Sequence, residues 1–245
     1  MAHTTLSELN ERLKSYVCRE NHAVFSVYEG GTPTGIFAFL ILSNEQYVEL
    51  LEAMTTSEFA CREILWNVRA EYNGFTFDCV FNPDNTAVSG ALQELGAQFY
   101  PVQISLRIKQ AEVYESDHLI LPLEEKHHAE YISIHAKDCY WTAERVIAAP
   151  QIMHAFVSFC DDKVVGYIDF TVNSDESEIY DVFVVEEYRG RGIGKALVSA
   201  AIKNVSPKSV FVVIDENDEY ALRMYQQLGF EAVENGRQVT ASMTL

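Results

Sequence analysis

The stretch Glu178-Ile-Tyr-Asp-Val-Phe-Val-Val-Glu-Glu-Tyr-Arg-Gly-Arg-Gly-Ile-Gly-Lys-Ala-Leu-Val-Ser-Ala-Ala201 reads as strand, loop and helix. An apolar, β-branched run from Ile179 to Val185 breaks at Glu186-Glu187 and passes through a basic, glycine-rich turn. A helical pattern follows, with Ala196, Leu197 and Ala200 in phase. Such a helix start leaves backbone N–H groups unpaired at the positive end of the helix dipole, so it can hold an anion. Gly190, Gly192 and Gly194 are expected to leave room for a ligand to approach the backbone. Arg189, Arg191 and Lys195 add positive charge to a chain whose formal net charge is −18. The ligand this predicts is a pyrophosphate, seated on the backbone of Arg189, Gly190, Arg191, Gly192, Ile193, Gly194 and Lys195.

Spacing separates the glycine-rich loops that could do this. A P-loop needs a Gly at position 189 and Ser or Thr after the Lys; the sequence has Arg189 and Ala196. A dinucleotide fingerprint needs a third Gly at position 195, which is Lys195, although Asp215 stands near the distance of its acidic partner. What remains is Arg-x-x-Gly-x-Gly, carried by Arg189, Gly192 and Gly194. It resembles the pyrophosphate motif of the GNAT (GCN5-related) N-acetyltransferases, which hold acetyl-coenzyme A. The bland alternative is an ordinary strand-to-helix turn.

A second element supports the resemblance. After a strand-like run from Ser209 to Ile214 come residues 215 to 230, in which Asn217, Ala221 and Tyr225 are spaced by four. They are expected on one stripe of a helix that Gly229 closes. This resembles the family's coenzyme A helix, with its Asn, small residue, Tyr and closing Leu228-Gly229-Phe230.

Composition bounds the rest. At 245 residues and 48% apolar content the chain can form one or two domains. The longest apolar run, Ile36 to Leu42, is far short of the roughly 20 residues of a membrane helix, and no leader pattern opens the sequence, so a cytoplasmic protein is expected. Five widely spaced cysteines imply neither zinc nor disulfides, and no metal is expected. The acidic balance argues against nucleic-acid binding and would attract a cationic amine, or simply keep the chain soluble. His127 and His128 read as surface residues.

The chain also repeats itself. His22-Ala-Val-Phe-Ser-Val27 matches His154-Ala-Phe-Val-Ser-Phe159, and Gly35-Ile-Phe-Ala-Phe39 matches Gly166-Tyr-Ile-Asp-Phe170. Phe75–Phe81, Asn82–Asn85 and Leu95-Gly96 then parallel Val210–Ile214, Asp215–Asp218 and Leu228-Gly229. The fold expected is α/β (α+β): two domains resembling this family, each a mixed, mostly antiparallel sheet flanked by helices. Residues 1–110 would be a degenerate half without the coenzyme loop, and 118–245 the catalytic half, with the polar segment 109–117 as linker. In the first half Ala53–Phe59 replaces the basic loop, Leu92 replaces Tyr225 and Ala97 replaces Phe230.

The resemblance implies an acetyl-coenzyme A dependent N-acetyltransferase acting on a primary amine of a small molecule or protein, by direct attack on the thioester. The pantetheine arm would lie along Val182, Phe183 and Val184, with backbone near Val184 as oxyanion donor. Asn217 and Ala221 would line the coenzyme, and Tyr225 would be the general acid. Glu178 and Asp181 are both candidates for the base, as is a group elsewhere. Tyr140 and Trp141 fit an acceptor wall or ordinary packing. The alternative is a coenzyme A sensing or assembly module without turnover. Monomer and homodimer are both compatible with the sequence.

Overall fold

The computed structural model describes residues 6–112, 114–137, 139–172, 176–205 and 210–245, without the side chains of 6–10 and 12. The chain forms two compact units, residues 1–103 with 234–245, and residues 104–233. The division differs from the expected 1–110 and 118–245. The last twelve residues add a strand to the first unit, and residues 104–117 belong to the second.

The first unit comprises α1 (Leu6–Val17), β1 (His22–Glu29), β2 (Thr32–Leu42), β3 (Tyr47–Met54), α2 (Glu58–Glu71), β4 (Thr76–Phe81), α3 (Thr86–Glu94) and β5 (Gln98–Phe99). The second comprises β6 (Gln103–Ile108, from Ile104), β7 (Ile120–Pro122), α4 (His128–Ile134), α5 (Ala143–Ala148), β8 (Met153–Cys160), β9 (Lys163–Thr171), β10 (Ser177–Val184), α6 (Ile193–Asn204), β11 (Val210–Asp215) and α7 (Glu219–Gln226). The long β12 (Phe230–Thr244) starts in the second unit and ends in the first.

The two units repeat one topology. In the first, β1, β2 and β3 are antiparallel neighbours, β4 joins β3 in parallel and β12 closes on β4. In the second, β8, β9 and β10 are antiparallel neighbours and β11 joins β10 in parallel. Each opening hairpin turns on two residues of positive φ, Gly30-Gly31 and Asp161-Asp162, the geometry that a two-residue hairpin favours. The third strand carries a bulge at the same place in both units. Leu50 and Glu52 oppose Phe39 and Ala38, stepping over Leu51; Ile179 and Asp181 oppose Phe170 and Asp169, stepping over Tyr180. Asn85 and Asp218 each cap the helix that follows the fourth strand, accepting from Val88 and Ala221 N–H.

Helix α2 packs Ile64, Leu65 and Val68 against Phe37, Phe39 and Phe77, and α6 packs Leu197, Val198 and Ala201 against Ile168, Phe170 and Ile179. Each Val, Leu, Ile or Phe side chain among these, withdrawn from water, contributes roughly 1.5–3 kcal/mol before entropy is subtracted. On the other face of β8, β9 and β10, α4 and α5 cover Val157, Tyr167 and Phe183 with Tyr131 and Val146. Among the described residues no helix is long and apolar enough to cross a membrane.

The segment read as a linker is packed. Lys109 and Glu112 N–H donate to the carbonyls of Gly229 and Leu228, and Tyr114 N–H donates to Ser199 Oγ. Polar composition hid this, because the segment binds through its backbone. His127 is also not a surface residue. Its ring meets Phe159 edge to face at 4.8 Å, and its Nδ1 is buried with no hydrogen-bond partner among the described residues.

Candidate active site

The parallel ladder of β10 and β11 ends at Ile179 opposite Val212. Beyond it the strands part around a cleft of about 410 Å³, walled by Tyr180–Val184 on one side and Val212–Asp215 on the other. The start of α6 closes one end, and Tyr220, Ala221, Met224 and Tyr225 of α7 cover it. The bulge at Tyr180 re-aims the strand just where its partner leaves.

Val185 N–H bonds back to Val165 O on the β9 side. Alternation along an antiparallel ladder therefore turns the N–H groups of Val184 and Val182 the other way, toward the parted edge. This exposes donors on the strand expected to carry the pantetheine arm, and Val182, Phe183 and Val184 all line the cleft.

At the α6 start, Gly192 is the N-cap with φ 85°, and among the described residues no side chain caps the helix. The first-unit counterpart differs. Ser57 Oγ accepts from Ala60 N–H and Thr55 Oγ1 from Ser57 N–H, while Glu58 stands in the first turn. The donors that α6 leaves open are taken up at α2, and a carboxylate repels an anion there.

Gly190, Gly192, Ile193 and Gly194 line the cleft as expected, but two of the glycines make room for protein rather than ligand. A Cβ on Gly192 would meet Tyr114 Oη at 2.4 Å, and one on Gly194 would meet Met224 Sδ at 3.2 Å; only the space beside Gly190 is open. Of the three cations, Arg189 alone lines the cleft. Its Nε donates to Val184 O at 2.8 Å and its guanidinium lies over the Phe183 ring. Arg191 folds back to the Glu187 carbonyl and Tyr188, and Lys195 sits 5.6 Å from the Tyr114 ring, so neither side chain joins the lining. Asn217 does not share the helical stripe of Ala221 and Tyr225. Asp218 caps α7, the helix begins at Glu219, and Asn217 N–H donates to Asp215 Oδ1 in the preceding turn.

Tyr225 is 4% exposed and packs edge to face on Phe230. Burial, then the charges of Asp181 and Asp218, push its phenol well above the ordinary value. The phenol therefore stays protonated at neutral pH. Asp181 lines the cleft and accepts from Tyr167 Oη at 2.6 Å. Glu178 lies outside the lining, half-buried, its carboxyl raised by burial and by the charge of Glu176. Tyr140 is 69% exposed, stacked under Arg145, whereas Trp141 is partly buried against the core cluster that includes Tyr131 and Tyr167.

A buried polar cluster beneath the cleft has no counterpart in the sequence reading. Tyr131 Oη donates to Asp169 Oδ1 at 2.8 Å, and His135 Nε2 lies 2.8 Å from Asp169 Oδ2. The only advance signals are an Asp inside the otherwise apolar run Val164–Phe170, and a Tyr and His four apart on one helix face. Among the described residues no group of three His, Cys, Asp or Glu is placed to hold a metal.

A sequence model of the acetyltransferase (GNAT) family matches residues 113–230. An uncharacterized N-acetyltransferase of Methanocaldococcus jannaschii is 32% identical over 89 residues, covering 32% of this chain and 39% of that protein. The spermine/spermidine N(1)-acetyltransferase of Bacillus subtilis is 36% identical over 53 residues, 20% of this chain and 35% of that one. The matches thus span less than two fifths of these relatives. Among solved structures, a tandem GNAT protein from the clavulanic acid biosynthesis pathway superposes with a TM-score of 0.57 at 13% identity, covering 92% of this chain and 84% of that one, which shows the fold. Residues 113–230, just under half of the chain, thus match the acetyltransferase (GNAT) family.

Proposed function

We propose that the second unit is an acetyl-coenzyme A dependent N-acetyltransferase that acetylates a primary amine by direct attack on the thioester. The observation that carries this is the parted β10/β11 edge, which brings free strand N–H groups, an uncapped helix start and a buried tyrosine to one cleft. Acetyl-coenzyme A supplies an acyl group activated as a thioester. The α6 backbone and Arg189 hold its diphosphate, and Val182 and Val184 N–H groups hold its arm and the oxygen that gains charge. Asp181, on the cleft wall, takes the proton from the amine as the N–C bond forms. Tyr225 gives a proton to the sulfur as the C–S bond breaks. Glu178, outside the cleft, is the weaker candidate base.

We further propose that the first unit is a second copy of the fold that has lost coenzyme binding, since Thr55, Ser57 and Glu58 occupy the place of the anion site. The acceptor is a small-molecule or protein amine.

Incubating the protein with acetyl-coenzyme A and a panel of amines, and following coenzyme thiol release, tests the reading. Amine-dependent release is expected. Tight coenzyme binding with no release above background for any amine would favour a sensing module instead. Arg189→Ala should weaken coenzyme A binding about tenfold, as loss of one charge-assisted contact does; an unchanged dissociation constant by calorimetry would remove Arg189 from the site.

A further inference from the structure

We propose that Tyr167 is a positioning residue for the Asp181 carboxylate, held in place by a buried His135–Asp169 pair. The proposal rests on the acetyl-transfer reading and names what aims its base.

Asp181 has two oxygens with different surroundings. Oδ2 accepts from Tyr167 Oη at 2.6 Å, whereas Oδ1 has no hydrogen-bond partner among the described residues. Tyr167 thereby decides which oxygen is left to receive a proton. Its ring is fully buried, stacked between His135 at 4.7 Å and Phe183 at 5.7 Å, with Tyr131 edge-on at 5.3 Å. The phenol oxygen also accepts from Ala136 N–H at 3.3 Å, which fixes its remaining rotation.

His135 is held as firmly. Its Nδ1 lies 2.8 Å from the Ala136 carbonyl, which can only accept, so Nδ1 carries a proton. Its Nε2 faces Asp169 Oδ2, and one more proton lies between them. Burial opposes a charged imidazole, but the bonds to Asp169 and the Ala136 carbonyl, with the Asp169 and Asp181 charges, outweigh it and raise the His135 pKa. Burial likewise raises Asp169, against the bonds from His135 and Tyr131.

The register explains why the pair is there. Asp169 stands directly opposite Asp181 across β9 and β10. Two carboxylates so placed repel, and His135 compensates the one that is fully buried. An apolar replacement of a buried pair is commonly neutral or stabilising, so fold stability alone does not account for this one. The groups that face Asp181 are Tyr167 and Asp169 from β9, His135 and Tyr131 from the α4 region, Tyr180 from its own strand and Tyr225 from α7. Among the described residues only Tyr167 donates a hydrogen bond to it.

Tyr167→Phe keeps the ring and removes the donor. A carboxylate no longer held by that bond is misaligned for the amine, so kcat for the amine should fall with little change in its KM. The value of kcat/KM should fall about tenfold, with coenzyme A affinity unchanged. The Ala136 amide should also exchange faster. Tyr131→Phe, which loses a bond to Asp169 but none to Asp181, should leave kcat for the amine within about threefold of wild type. A wild-type kcat in a folded Tyr167→Phe protein overturns the proposal alone, whereas absence of thiol release by the wild type removes the acetyl-transfer reading and this proposal with it. Should Tyr167→Phe not fold, the wild-type spectrum decides. The Tyr167 hydroxyl proton is expected as a slowly exchanging resonance that disappears in Asp181→Ala, and its absence from the wild type overturns the proposal.

Discussion

Replacing Tyr225 with Phe is expected to lower kcat about 100-fold while leaving the dissociation constant of coenzyme A unchanged, the lower end of what a positioned proton donor contributes. Packing is preserved in the variant. Tyr225 is 4% exposed against Phe230, and the ring is kept, so the lost group is the hydroxyl alone. That hydroxyl has no partner among the described residues and is held protonated by burial and by the charges of Asp181 and Asp218. It can therefore donate to a departing thiolate throughout the neutral range. Steady-state rates with a good acceptor check this; a kcat within threefold of wild type would reduce Tyr225 to a packing residue.

The second large effect is on stability. Gly229→Val should cost about 3–4 kcal/mol, a large share of the 5–15 kcal/mol that typical domains possess. Gly229 has φ 87°, where a β-branched residue is strained by roughly 1–2 kcal/mol. A Cβ there would also meet the Gln110 carbonyl oxygen at 1.7 Å. Yielding means moving the 109–112 segment and losing its bonds to the Gly229 and Leu228 carbonyls, each worth about 1 kcal/mol. Gly96 provides the comparison, since it has φ 79° but nothing near its Cβ. Gly96→Val should therefore cost only the backbone strain. Urea unfolding of both variants checks the ordering, and equal losses would show that the packed segment contributes nothing.

What could be read from the sequence follows how local the signal is. The Arg189–Lys195 loop, the hairpins and the turn at Gly229, two residues beyond the Gln227 C-cap, are fixed by a few adjacent residues whose turn chemistry is written in Gly, Asn and Asp. The internal repeat was legible for the same reason. It predicted a common topology, and the shared bulge at Leu51 and Tyr180 follows from strands paired alike. The α7 stripe was read two residues before the helix starts, because a spacing of four groups Asn217 with Ala221 and Tyr225, whereas Asp218 caps the helix and Glu219 begins it. The contacts of Tyr114 with Gly192, and of His135 with Asp169, join residues 78 and 34 positions apart, which no local pattern encodes. The last strand crossing into the first unit is equally non-local.

The central claim is that open backbone donors of the second unit, and not those of the first, hold the coenzyme. Titrating isotope-labelled protein with coenzyme A and following the amide resonances tests it directly. The account predicts shifts at Val182, Val184 and Gly190–Ala196, with the amides of Ser57–Cys61 unmoved. Shifts at Ser57–Cys61, or none at the start of α6, would contradict it.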